Sequence, residues 1–333
     1  MDKGKIPLDD MGRRAKLLGP PIEHIDISRY DPRELVEAMG GTSFQARNLA
    51  RAARIWAEMT ADPDCTVILT LAGSLCSAGL RKVFYDLVEA GMVDVIVSSG
   101  ANIVDQDFFE ALGFRHYRGD HEADDEELNR HGIDRIYDTY ILERDLRECD
   151  AAVAAIADGM EPGVHSSREF IREMGRWLSE GGCRTEGSII EAAYRKEVPI
   201  FVPAFSDCSA GFGLVDHQRR NPGGHISIDS VRDFRQLADL VGGAKRTGIV
   251  VLGGGVPQNF AQDAVLAVEG TPRMHAYAVK VTVQDEHDGS LSGSTFREAR
   301  SWGKVETARE QVVYAEATLV VPLMAAYVYH GRQ

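Results

Sequence analysis

The segment CTVILTLAG, residues 65–73, is short, apolar and rich in β-branched side chains. GSLCSAG follows it, then the helically periodic LRKVFYDLVEAG, then a second apolar run, MVDVIVSSGAN (92–102). Strand, glycine-containing turn, helix and strand make a βαβ unit. Two strands joined in this way lie parallel, and a parallel sheet is covered by helices on both faces. Further strand candidates are VPIFVPAFSD (198–207), TGIVVLGGG (247–255), HAYAVKVTV (275–283) and QVVYAEATLVV (311–321). Helical candidates lie between them at 167–180, 188–196, 229–242 and 257–268. The expected class is therefore α/β, with one doubly wound, mostly parallel sheet.

The flanks are less regular. Residues 1–30 read as an extended or weakly ordered lead-in, broken at Gly19-Pro20-Pro21. Residues 33–59 read as two helices split at Gly40-Gly41, the second capped by Thr42 or Ser43. The charged stretch 117–150 reads as an excursion over the sheet. No linker stands out, so the expected division is an N-terminal extension, 1–30, and a single domain, 31–333.

Composition removes several function classes. The 333 residues carry 51 acids against 37 bases, a net charge of −14, which disfavours a nucleic-acid partner. The five cysteines show no CxxC pair, which argues against a zinc site and a disulfide framework and fits a reducing cytosol. No secretory leader or membrane-length apolar run is read, so a cytoplasmic location is expected.

In open parallel sheets, ligands bind at the carboxyl ends of the strands. Those ends here carry Gly73-Ser74, Ser98-Ser99-Gly100, Ser206-Asp207 and Gly253-Gly254-Gly255. Glycine lets a phosphate approach backbone N–H groups, although tight βα turns need glycine in any case. Neither GxGxxG nor a Walker sequence occurs. Five acids, Asp105, Asp207, Asp288, Glu298 and Glu316, fall near strand ends or in Gly/Ser loops, and carboxylates gathered in a cleft would hold an oligo-amine.

Lys304 stands out in SWGKV (301–305). Most lysines beside a tryptophan only lay their stems on the ring and keep the ammonium wet. An amine held between apolar walls would instead lose its charge more readily than the free value of about 10.4 allows, and a neutral lysine can form or exchange an imine.

The order of motifs then resembles one family. ELVEAMGGTSFQARNLARA, GSLCSAGLR, MVDVIVSSGAN, PAFSD, NPGG, IVVLGGGVPQNF, DGSLSG, EARSWGKV and VYAEATLVVPL follow the pattern of the deoxyhypusine synthases, from about residue 30 to residue 328. The resemblance implies a Rossmann-like fold that binds NAD and a homotetramer with sites between paired subunits. It implies oxidation of spermidine by NAD, a 4-aminobutyl group carried as an imine on Lys304, and transfer to an acceptor amine. By motif, Gly73, Ser74, Leu75, Cys76, Ser77, Ser99, Gly100, Asp207, Gly254, Glu316 and Ala317 would line the NAD. Asp105, Asn259, Gly289, Ser290, Glu298 and Trp302 would line the polyamine channel, with Trp302 as an apolar or cation–π wall.

The sequence also departs from the protein-modifying members of that family. They have a second glutamate near Val104-Asp105-Gln106, a histidine at Asn259, and aspartates at Phe212 and Leu291. Loss of polyamine-side acids points to a changed substrate or acceptor. The expected reaction is transfer to a free diamine such as putrescine, giving homospermidine. Modification of a lysine of translation factor 5A, a different partner such as agmatine, and a non-catalytic NAD-binding protein are the alternatives.

Overall fold

The structure, a computed structural model, describes residues 8–270, 273–306 and 308–332. Its centre is a sheet of six strands: β1 (Cys65–Leu71), β2 (Val95–Ser98), β3 (Ile200–Phe201), β4 (Arg246–Leu252), β5 (Tyr277–Thr282) and β6 (Glu310–Tyr314). All neighbours pair in parallel, in the order β3-β2-β1-β4-β5-β6. This is the doubly wound dinucleotide-fold order, and the chain reverses direction across the sheet between β1 and β4.

Alternation along each strand divides the core into two layers. Val67, Leu69, Leu71, Val250 and Val279 face one layer, against helices α1 (Phe44–Ala61) and α6 (Ala317–Gly331), which bring Trp56 and Met324. Ile68, Val97, Phe201, Ile249 and Ala278 face the other, against α4 (Gly255–Asp263) and α5 (Phe296–Ser301), through Ala261 and Phe296. Both faces are dry, which is why these strands read as continuous apolar runs.

Several expected boundaries move. Strand 198–207 shrinks to Ile200–Phe201 because Pro199 and Pro203 flank it and cannot donate to a ladder. The run 311–321 is strand only to Tyr314. α6 starts at Ala317, where the Glu316 carboxylate accepts from the N–H of Leu319. Ser43 precedes α1 without a side-chain cap, and the Thr42 hydroxyl donates to Met39 O instead.

The lead-in is more structured than expected over its described part; residues 1–7 lie outside the described residues. Leu8–Leu17 is helical. Beyond it, Gly19 N–H donates to Arg118 O and Ile22 N–H to His116 O, so the chain runs along the edge of a second sheet. That small antiparallel sheet, Tyr117–Arg118, Thr139–Leu142 and Ile133–Ile136, forms within the charged excursion.

Two glycines fix the approach of loops to the crevice. A Cβ on Gly100 would meet Cys208 Sγ at 2.4 Å. Gly254 has φ +140°, and a Cβ there would lie 2.6 Å from Ser292 Cα. Substitution of Gly254 by Ala therefore combines strain with a backbone clash, costing roughly 1–3 kcal/mol or more. Denaturant unfolding should show that loss for Gly254→Ala. Gly223→Ala, where a Cβ meets open space, should stay within about 0.5 kcal/mol of the parent.

Candidate active site

The turns after β1 and β4 meet where the strand order reverses. A cleft of about 300 Å³ opens there, lined by Gly73, Leu75, Gly253, Ser292, Glu316 and Ala317 among others. Gly73 (φ +72°) is exposed, with open space where a Cβ would stand. The cleft thus brings together Gly73, Leu75, Glu316 and Ala317 from the residues expected to line a dinucleotide. Gly254 is different: it is buried beneath Ser292, and its missing Cβ makes room for the chain's own DGSLSG loop.

The floor of this cleft is fixed by side chains from Ala101–Phe108, a helical segment of the wide π type. Asn102 Oδ1 accepts from the N–H groups of Leu75 (2.8 Å) and Cys76 (3.2 Å), and Gln106 Oε1 accepts from Ser77 N–H (2.9 Å). Asn102 Nδ2 also donates to Gly73 O and to Ser99 Oγ. Cys76 and Ser77 are buried, and their donors are already used. Like that of Leu75, their N–H groups support the turn, while Gly73 and the half-buried Ser74 remain open.

Beside this floor, Asp105 is largely buried and accepts from Ser209 N–H at 2.7 Å, at the start of α3 (Ser209–Arg220). Burial pushes its carboxyl up to about 6; the Ser209 hydrogen bonds oppose the shift, and the negative charges of Asp150 and Asp207 add to it. The exposed Asp207 therefore belongs to the Asp105 group. Asp288 and Glu298 are exposed elsewhere, so the five acids do not form one cluster.

Lys304 lies at the far end of α4. Its backbone is anchored by His275 N–H donating to Lys304 O and by Lys304 N–H donating to Ala299 O. The residue is 8% exposed. Its ammonium forms an ion pair with Asp263 Oδ1 at 2.6 Å and donates to Asn259 Oδ1 at 3.1 Å. Asn259 Nδ2 donates to Asp263 Oδ2 at 2.8 Å, closing a triangle. Trp302, 64% exposed, presents its ring 5.3 Å from Nζ. The expectation of apolar walls is corrected: the amine is held by a carboxylate and an amide, with one aromatic wall. Asp263 escaped the sequence reading, although Asn259 and Asp263 are four apart on an expected helix and so share a face.

A second buried lysine also escaped it. Lys280, on β5, is fully buried and donates to Ser294 O at 2.6 Å, while Thr282 Oγ1 donates to Ser292 O at 3.1 Å. Together they tie the loop bearing Gly289 and Ser290 to the sheet. Burial pulls the Lys280 amine down to about 8, against the pull of Glu298. A lysine in a strand covered on both faces is the available signal, since such a charge needs a partner.

The fold and this site define an α/β protein with a dinucleotide-type crevice and a held, buried amine. Comparisons with known proteins identify its relatives. The deoxyhypusine synthase family model matches residues 34–328. A deoxyhypusine synthase-like protein of Chlorobaculum parvum is 58% identical over 324 residues, 96% of this chain and 92% of the relative. A probable deoxyhypusine synthase 2 of Methanosarcina mazei is 41% identical over 309 residues, 92% of this chain and 88% of the relative. The crystal structure titled as a putative deoxyhypusine synthase from Entamoeba histolytica shares the fold, with a TM-score of 0.60 at 20% identity over 93% of this chain and 97% of that one. The chain belongs to the deoxyhypusine synthase family, and so to the transferases. The family is NAD-dependent in general, transfers aminobutyl groups, acts on polyamines and is generally oligomeric. Among the described residues, no helix is long and apolar enough to cross a membrane.

The Asp105 shift sets a pH dependence. Its folded value, about 6, lies above the ordinary 3.8, so the folded chain binds the proton more tightly. That contribution to stability is fully present below about pH 4 and is lost as pH rises through 6. Asp105→Asn keeps an acceptor for Ser209 N–H and removes the titration. Its stability between pH 4 and 6 should fall less steeply than the parent's, by up to about 1.4 kcal/mol per pH unit, read by denaturant unfolding at each pH. Parallel curves would contradict the assignment.

Proposed function

We propose that the chain is an NAD-dependent aminobutyltransferase that passes a 4-aminobutyl group from spermidine, through an imine on Lys304, to a free diamine. Putrescine as acceptor gives homospermidine. The observation that carries this reading is the Lys304 amine, withdrawn from solvent yet hydrogen-bonded to Asn259 and paired with Asp263.

A dinucleotide fits the crevice on one structural ground: at Gly73, positive φ and open space leave the backbone bare to a ligand. Gly73, Ser74, Leu75, Ser99, Glu316 and Ala317 are the residues that would hold NAD, which supplies the hydride acceptor and donor when bound. This chain's own residues do the rest. Asn102 and Gln106 hold the turn rigid, so binding orders little of it. Asp105 and Asp207 offer carboxylates to the ammonium groups of a polyamine, and Trp302 offers a face to its methylenes. Restricted access to Lys304 protects an imine from hydrolysis.

The acceptor reading rests on the surface around α3 and the DGSLSG loop. Phe212 is 71% exposed and Leu291 42% exposed, where protein-modifying members carry aspartates. Apolar groups there cannot pair with the acids' cationic partners, so the protein-lysine acceptor loses its counter-charges. The same exposed apolar groups, with Val283 and Leu319, favour burial in a homotetramer. Residues 31–333 are read as one catalytic domain preceded by an extension, acting in the cytoplasm.

Incubation with NAD, spermidine and putrescine should yield homospermidine and 1,3-diaminopropane by mass spectrometry. Modification of a translation factor 5A lysine without any polyamine product would favour the protein acceptor. Neither product, from a folded protein that binds NAD, would leave only a binding role.

A further inference from the structure

We infer that Asp263 is a catalytic residue, the counter-ion and proton relay for the reacting nitrogen of Lys304. The inference rests on the imine reading above and adds a residue that no family motif supplied.

In the resting pocket, Nζ of Lys304 is an ammonium 2.6 Å from Asp263 Oδ1. When the amine carries its cargo, the same nitrogen is an iminium and again bears one positive charge. It is neutral only while it attacks. A carboxylate in contact with it therefore suits both resting and loaded states, and can take up the proton in between. The step balances as follows. The Lys304 ammonium gives a proton to Asp263, and the free amine adds to the carbon of the oxidised donor's iminium. Asp263 releases that first proton to solvent through its exposed edge, then takes a second from the now cationic Lys304 nitrogen of the aminal and gives it to the donor nitrogen. The old C–N bond breaks, 1,3-diaminopropane departs, and the iminium remains on Lys304. No electrons are exchanged in this transfer; the donor's prior oxidation belongs to NAD.

The surroundings leave this task to Asp263. From α4, Asn259 bridges the two groups without adding charge. From the segment entering β5, His275 is fully buried between Thr247 and Ala261 O, and burial pulls its imidazole down to about 4, so it stays neutral. On the lysine's own segment, Arg300 reaches Met274 Sδ, Glu298 is exposed and coupled to Lys280, and Glu306 lines a separate groove with Lys245 and Arg309. Among the described residues, Asp263 is the carboxylate in ion-pair contact with Nζ. Its side chain is 32% exposed, which gives the relay an outlet to solvent.

Removing a contacting carboxylate withdraws support for positive charge on Nζ in the ammonium and in the iminium alike. Both limbs of the pH–rate profile for transfer then move to lower pH. The experiment is the pH–rate profile of homospermidine formation for the parent, Asp263→Asn and Asp263→Glu. Asp263→Asn should move the bell to lower pH and lower its height, and Asp263→Glu should restore its position. A height loss with the bell unmoved would mark Asp263 as a structural prop and overturn the inference, as would a shift to higher pH. If Asp263→Asn gives too little product, the pH dependence of Lys304 labelling by an amine-selective reagent, read by peptide mass, replaces turnover. The labelling midpoint should fall in Asp263→Asn, and an unmoved midpoint would refute the role. A parent enzyme that makes no polyamine product at any pH sinks the imine reading instead.

Discussion

The contact between Lys304 and Asp263 is the constraint on which the rest of the site turns. A lysine this withdrawn from water needs a carboxylate, because an unpaired buried ammonium costs several kcal/mol. Asp263 sits on the last turn of α4, so α4 must leave the sheet at one particular angle. Three successive glycines with positive φ, Gly253, Gly254 and Gly255, make that exit. The middle one is pressed against Ser292, which links α4 to the loop that Lys280 and Thr282 tie down. Amine, helix, turn and loop thus form one connected unit that runs from the carboxyl ends of β4 and β5, where α4 begins, to the entry of β5, where Lys304 O accepts from His275 N–H.

A second unit lies across the sheet, at the ends of β1 and β2. There the wide helical turn from Ala101 to Phe108 uses three side chains for two tasks. Asn102 and Gln106 saturate the N–H groups of the turn after β1, and Asp105 holds the start of α3. This differs from the usual dinucleotide turn, in which bare N–H groups at a helix start meet the pyrophosphate. Rigidity here comes from amides already paired within the chain, and what is left open to a ligand is the backbone at Gly73. The repulsion among Asp105, Asp150 and Asp207 stores an unmet demand for positive charge beside this turn.

Much of the fold was legible in the sequence because a parallel sheet buried on both faces writes itself as apolar runs, and its βα turns as glycines. The six central strands were all located from those runs. What misled was apolar continuity across a change of element: Tyr314 ends a strand and Ala317 begins a helix with no polar break strong enough to show it. At the site, Lys304 stood out by its motif, but its partner did not, because Asp263 is ordinary in sequence and acquires meaning only from a lysine 41 residues later. Lys280 was hidden for the opposite reason, one charge inside a run read for its apolar residues. Cys76 and Ser77 were placed by motif, and their burial and paired amides, set by Asn102 and Gln106, could not be read from the run itself.

Lys304 is the covalent carrier in this reading, and the structure offers a rival amine in Lys280, also buried and near Glu298. Reduction with borohydride during incubation with NAD and spermidine fixes any imine in place, and proteolysis followed by tandem mass spectrometry locates it. The account predicts a 4-aminobutyl group on the peptide containing Lys304. The same group on Lys280, or on no lysine of a protein that has bound NAD and spermidine, would contradict it.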